Sequence, residues 1–401
     1  MKKIVGMIAA AALAATAFAE INIGSWNRAV FVPFAYDGDT VRTLEGVSWS
    51  GTNYDGAGVR TGLSFSASSE NAGFAMDLHV NPGKEGASGI GLGDNGYVWV
   101  KPVEMFRVAF GKIDNNWGRL DHCFGTWDTW RFGNDLSVGE GLADVKRQNG
   151  TGADFTLTPV EGLTIDYQAN FYTGNDDAYD ADGNKICGNA RAYEVFWETA
   201  SLAVGYKADF GFIRAIVNGQ RAGYNKDGDS VVAAKISVGA DITAVENLTI
   251  KAGATIPTNL NGYTDEAKTT GNSVKAGLGL DYALDIVTLH GQFEMAINPK
   301  EKDDDGAVKL GDLGFRVGAG VDFNINDALA AVADFRFGSN KEWGEKKDAF
   351  GIYAGLKQKL SNATFDFGVM MGKNVGPSIS EAKAADEPFT VAVPLTITAS
   401  F

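Results

Sequence analysis

The chain has 401 residues, with 50 acidic against 35 basic side chains and a formal charge of −15, which excludes a nucleic-acid binder, since phosphate contacts need a basic surface. Its 51 glycines, 9 prolines and 11% aromatic residues exclude a disordered chain and suit an all-β one rich in turns. No stretch approaches the ~18 consecutive apolar residues of a membrane-spanning helix.

The first segment, MKKIVGMIAAAALAATAFAE, has two lysines, an apolar run from Ile4 to about Ala15, and the small-x-small triplet Ala17-Phe18-Ala19. That order predicts a secretory signal over residues 1–19 with cleavage before Glu20. The run is shorter than the ~20 residues an uncleaved anchor would need. Loss of Lys2 and Lys3 would take the charge to −17 and leave residues 20–401 as one exported domain.

Beyond it, apolar side chains recur with a period of two, the period of a β-strand. GLTIDYQANF sets Leu163, Ile165, Tyr167, Ala169 and Phe171 against Thr164, Asp166, Gln168 and Asn170. LGFRVGAGVDF sets Leu313, Phe315, Val317, Val321 and Phe323 against Arg316, Asp322 and three glycines. The same split runs through VVAAKISVGADI, LTIKAGATI, VKAGLGLDY, ALAAVADFRF and TFDFGVMM. In the last segment, TVAVPLTITASF, Val391, Val393, Leu395, Ile397 and Phe401 oppose Thr390, Thr396, Thr398 and Ser400.

The connections alternate in length. Short ones fall at 69–71, 102–104, 159–161, 209–211, 245–247, 283–285, 325–327 and 361–363. Long ones lie near 37–53, 82–89, 113–148, 174–189, 223–230, 258–271, 298–310, 339–347 and 374–388. A soluble sandwich would also alternate apolar and polar faces. Alternating turn and loop lengths with strands of ~9–11 residues instead predict an all-β, transmembrane antiparallel β-barrel, closed so that every backbone group is paired. Eight turns and nine loops give 18 strands. In ARAYEVFWETASLAVGYKAD the apolar parity flips: a bulge near Thr199 keeps that number, whereas an extra hairpin leaves 16 as the alternative.

With the apolar parity toward lipid, the other parity lines the lumen. Arg60, Arg107, Arg214, Lys235 and Lys251 fall there, with Lys275, Arg316, Arg336 and Asp166. Charges of both signs predict a hydrated interior, and 18 strands make a barrel too wide for side chains to fill.

The longest connection, residues 113–148, follows the fifth strand and holds Trp117, Trp127 and Trp130, three of eight tryptophans. Asp114, Arg119, Asp121, Asp128, Arg131, Asp135 and Glu140 are interleaved with them, and Arg147 closes the segment. Three indoles need something to pack on. The loop either folds into the lumen and narrows a pore or projects outward as an adhesive surface; its length and position favour the first. Cys123 and Cys187 lie in the third and fourth loops, where an exported pair can oxidise to a disulfide. NDDAYDADGNK lacks the closing Glu of a calcium loop. His79, His122 and His290 form no sequence cluster, and no nucleophile motif accompanies them, so no enzyme activity, metal or cofactor is expected.

Two passages carry a resemblance. VAFGKIDNNW (108–117) resembles the strand that leads into the third loop of general bacterial porins. RQNGTGADFTLTPVEGLTIDYQANF (147–171) resembles the porin stretch that follows that loop. The resemblance implies a loop folded into the barrel as a constriction, with Arg147 facing Asp121 and Asp128. It implies the outer membrane of a diderm bacterium, surrounding outer-membrane lipid, a homotrimer as an open question, and Phe401 as a terminal signal for the barrel assembly machinery. The Pro-Glu-Phe-Gly-Gly stretch of many porin loops is absent, and 18 strands is the number of sugar-specific porins, whose aromatic track the three tryptophans would imitate. The expected function is a water-filled channel for passive diffusion of small hydrophilic solutes and ions; the alternative is a surface adhesin or receptor anchored by the barrel.

Overall fold

A computed structural model describes residues 21–36, 41–43, 59–81, 89–114, 116–130, 136, 141–170, 178–179, 185–186, 200–224, 230–258, 273–302, 308–339, 348–373 and 389–401. Eighteen strands form the barrel. The first nine are β1 (Ile21–Tyr36), β2 (Val59–Ser68), β3 (Ala72–Asn81), β4 (Gly89–Val103), β5 (Phe106–Ile113), β6 (Gly150–Val160), β7 (Leu163–Asn170), β8 (Ala200–Ala208) and β9 (Gly211–Tyr224). The rest are β10 (Ser230–Val245), β11 (Leu248–Pro257), β12 (Val274–Leu284), β13 (Val287–Lys302), β14 (Val308–Asn326), β15 (Leu329–Ser339), β16 (Ala349–Lys359), β17 (Ala363–Lys373) and β18 (Phe389–Ser400). Each pairs antiparallel with its sequence neighbours, and β18 returns to β1 from Trp26↔Ser400 to Tyr36↔Val391. The ring is closed, so neither terminal strand leaves an unpaired edge.

Strand β7 pairs directly with β8, Asp166 opposite Ala203, so no further barrel strand lies between them and 16 is excluded. The flip in parity near Thr199 lies outside the described residues. Short strand pieces at Val41–Thr43, against the upper end of β1, and at Ala178–Tyr179 with Lys185–Ile186 add to the long connections. No helix among the described residues is long and apolar enough to cross a membrane.

Hairpin chemistry explains the short turns. Glu161-Gly162, Glu246-Asn247 and Asp285-Ile286 are two-residue links, and Gly162, Asn247 and Asp285 take positive φ (80°, 62° and 34°). Two-residue hairpins need that conformation, which Gly, Asn and Asp tolerate best.

Alternation sorts the two faces as the sequence predicts. Val98, Val100, Leu202, Val204, Ile236, Val238 and Phe367 are exposed on the outside. Asp154, Asp166, Arg214, Ser237, Thr255, Asp334 and Arg336 are buried on the inside. An apolar exterior over a polar interior inverts the soluble sandwich and is the arrangement lipid demands. In β18, Thr390, Ala392, Pro394 and Thr396 are buried while Phe389 and Ile397 are exposed. Pro394 sits where the register on β1 slips by one residue, between Phe31 and Phe34. The bulge falls in β1, which carries Pro33 at the same place, so the two residues without an N–H share one break in the ladder. The terminal Phe401 is exposed and exchanges both backbone hydrogen bonds with Ser25 (2.8 and 2.9 Å).

Candidate functional site: the long loop and the inner wall

In the segment after β5, Trp117, Leu120, His122, Phe124, Trp127, Leu142 and Val145 contact residues of the inward parity of the wall. Its outgoing arm runs through Trp117 and Leu120 to a short helix, α1 (Gly125–Trp130), and its returning arm holds a 3-10 turn at Leu142–Asp144. The arms are tied to each other, Leu120 N–H donating to Val145 O (2.9 Å) and Leu142 N–H to Leu120 O (2.6 Å).

Glycines in the wall make room for them. Gly239 stands opposite Gly253 and Gly253 opposite Gly277, a row across β10, β11 and β12. A Cβ at Gly253 would lie 2.6 Å from Leu120 and 2.8 Å from Val145; one at Gly277 would lie 2.7 Å from Leu142. Other inward glycines lie under His122 at Gly279, Phe124 at Gly320 and Trp127 at Gly351. Leu120, Leu142, Ala143 and Val145 form one apolar cluster with Ala203 and Ile216 of the wall. Trp127 and Leu136 join another with Val30, Val32, Tyr353 and Met370. Parity already places glycine on the inward face, as in SVGAD, KAGAT, AGLGL and VGAGVD; what it does not convey is that side chains from the long connection fill the space in front of them.

Charged groups clamp the same contact. Arg214 of β9 donates to Arg119 O (2.6 Å) and pairs with Asp241. Lys251 of β11 donates to Asp121 O, and Lys235 of β10 to Asp144 (3.3 Å). Arg336 of β15 holds Asp128 (3.1 Å), Phe124 O (2.8 Å) and Asp334 (2.8 Å), all buried. Burial opposes the Asp144 charge, but Lys275, Lys235 and Lys146 outweigh it and hold the carboxyl below its ordinary value.

Arg147 departs from its expected place. It pairs with Asp154 (2.8 Å) and Asp166 of the wall, donates to Asp114 O (3.2 Å), and lies over the Trp117 ring (5.5 Å). Burial disfavours its charge, yet Asp166 and Asp154 raise its pKa further. It does not face Asp121 or Asp128, because each is already taken: Asp121 by Arg119 (2.6 Å) and Gly141 N–H (2.7 Å), Asp128 by Arg336. Trp127 is fully buried, so its ring is closed to a solute; Trp117 is half-buried between Arg147 and the edge of Phe212.

Two of the three histidines, His122 and His290, meet in space. His122 Nε2 lies 3.2 Å and His290 Nδ1 2.6 Å from the same oxygen of Asp281. Among the described residues, no group of three or more His, Cys, Asp or Glu side chains is arranged to hold a metal ion. Cys123 is exposed just before α1; Cys187, Arg131, Asp135 and Glu140 lie outside the described residues, as do the side chains of Trp130 and Arg60. Arg60 stands opposite Arg28 in register, and Arg316 opposite Glu294.

The wall over the lower part of β1 and through β5 carries a different set. Arg107 lies over Tyr97 (5.4 Å) and Trp99 (5.7 Å), Lys101 over Trp99 (5.8 Å) and Arg28 over Trp26 (5.5 Å). None of these three cations pairs with a carboxylate among the described residues. Above them Asn95 donates to Asp77 and Asp114 (2.9 Å each).

No family model and no curated protein sequence matches the chain. Solved structures do. OpdL of Pseudomonas aeruginosa superposes over 95% of this chain and 99% of its own, with a TM-score of 0.51 at 9% identity. The anion-selective porin of Comamonas acidovorans gives 0.47 at 12% identity over 96% and 100% of the two chains. OprB of Pseudomonas putida gives 0.45 at 10% over 96% and 94%. The fold is porin-type. In this porin-type barrel the long connection after β5 is the one whose described residues seat on the glycine row.

Proposed function

We propose that the protein is an outer-membrane diffusion pore for small hydrophilic solutes, narrowed by residues 113–148. The apolar exterior supports a lipid-facing barrel, and two-signed charge on the inward parity supports a hydrated interior. One observation carries the reading: loop contacts run along the inward face from Arg147 at Asp154 and Asp166 of β6 and β7, through Trp117 beside Gly205 and Trp127 beside Gly351, to Val30 and Val32 of β1. Such a loop takes up one side of the lumen, and solute passes along the other, past Trp26, Tyr97, Trp99, Arg28, Lys101 and Arg107. Rings hold the cations beside the passage, while Asp77 and Asp114 supply the opposite sign, so solutes are sorted by size and field. Purified protein in a planar bilayer should give discrete conductance steps; a preparation that stays folded and gives none overturns the reading.

A further inference from the structure

Gln292 of β13 stands between Asp128 of the loop and Arg336 of β15, and its amide can satisfy both in only one orientation. With its oxygen toward Arg336 Nη1 (2.6 Å) and its nitrogen toward Asp128 Oδ2 (3.1 Å), it accepts from a guanidinium and donates to a carboxylate. Reversed, it sets nitrogen against a group that only donates and oxygen against one that only accepts. In the satisfied orientation the amide nitrogen also faces His122 Nδ1 at 3.3 Å, so Nδ1 must accept. The other ring nitrogen, Nε2, lies 3.2 Å from Asp281 Oδ1 and must donate. The contacts therefore select neutral His122 with its proton on Nε2. His122, Gln292, Arg336 and Asp128 are all buried, so water cannot relieve a mismatch.

A proton added at Nδ1 sets two donors face to face. Turning Gln292 relieves that clash and undoes its bonds to both Arg336 and Asp128, the pair that holds α1 to β15. We propose that His122 is a proton switch for the loop: neutral, it keeps Gln292 bridging Arg336 and Asp128; protonated, it turns the amide and loosens α1 into the passage.

Other charged groups surround the switch. On β12, Asp281 faces both His122 and His290 of β13, and His290 Nε2 is 3.9 Å from Asp322 of β14. On β15, Arg336 carries Asp334 as well as Asp128. Within the loop, Asp121 adjoins His122 but is held by Arg119, and Lys251 of β11 donates to the Asp121 carbonyl. Asp281, Asp128, Arg336, Lys251 and His290 are thus the charged and titratable groups that face His122. Imidazoles change charge between about pH 5 and 8, which sets the range to be scanned.

Hydrogen exchange of the full chain in detergent, corrected for intrinsic rates, tests this without any conductance. Protection over residues 122–130 should fall on the order of tenfold from pH 8 to pH 5, the equilibrium cost of one hydrogen bond. It should stay flat in His122→Gln and in His122→Asn, and the fall should persist in His290→Gln. Unchanged protection in the native chain, or the same fall in both His122 variants, overturns the switch. In a bilayer, closures should become more frequent in acid for the native chain alone; equal acid sensitivity in His122→Gln also overturns it. A chain with no channel steps defeats the pore reading, while the exchange result still decides the switch.

Discussion

The indole of Trp127 fills the space in front of Gly351, where any side chain would have to stand. Residues 224 positions apart in number thus form one close-packed contact, and it explains why strand β16 carries glycine at an inward position. A side chain there has nowhere to go: neighbours in a packed interior shift only by adopting strained rotamers. Gly351→Val should destabilise the barrel by about 1–3 kcal/mol in reversible denaturant unfolding. Gly291 has no atom within 4 Å of its would-be Cβ, so Gly291→Ala is the control and should leave the midpoint unchanged.

Arg147 neutralises two buried carboxylates at once, and its loss leaves both without a cation. Arg147→Met should cost about 3–5 kcal/mol, the range for breaking a buried pair from one side. Adding Asp166→Asn to that variant removes one of the stranded charges and should recover part of the loss. The comparison is made by unfolding midpoints of the three proteins.

Ion preference should follow the groups that border the passage. Arg107→Gln should move the zero-current potential in a salt gradient toward cation preference, since Arg107 rests on rings and has no carboxylate partner among the described residues. Asp114→Asn should move it the opposite way. Asp128→Asn should act chiefly on stability, because Asp128 is buried against Arg336.

Asp144 ties the returning arm to Lys235 and is held below the ordinary carboxyl value of 3.8. A carboxyl depressed on folding contributes stability that is fully present above 3.8 and is lost as the pH falls through its folded value. Asp144→Asn should therefore be less stable than the native chain at neutral pH, and the gap should close as the pH is taken below 3.8. Thermal midpoints of the two proteins from pH 6 downward check the sign.

Much of the wall was legible without coordinates. The parity of GLTIDYQANF places Asp166 and Gln168 inside and Ile165 on the opposite face, and the eight tight turns with nine long loops predict 18 strands. Arg214, Lys235, Lys251 and Arg336 were placed on the inner wall by parity alone, and all four contact the loop. What parity could not supply was partnership. The porin resemblance matches Arg147 to Asp121 and Asp128, whereas the fold hands it Asp154 and Asp166. The sequence leaves the tryptophans two roles, packing on the wall or, by the resemblance, an aromatic track for sugars, and Trp127 is consumed by packing.

The sequence by itself determined the period, the turns and the sense of each face, because those are set within a few residues: alternate side chains leave a strand on opposite sides, and Asn247 or Gly162 turns a hairpin locally. The tertiary structure alone decided what the inner face holds. His122 meets Gln292 across 170 positions and Asp128 meets Arg336 across 208, and only closure of the ring brings such residues together. Strand-interior glycines read locally as weak points of a sheet. Folded, they are the seat of the loop, because the side chains they make room for come from another part of the chain.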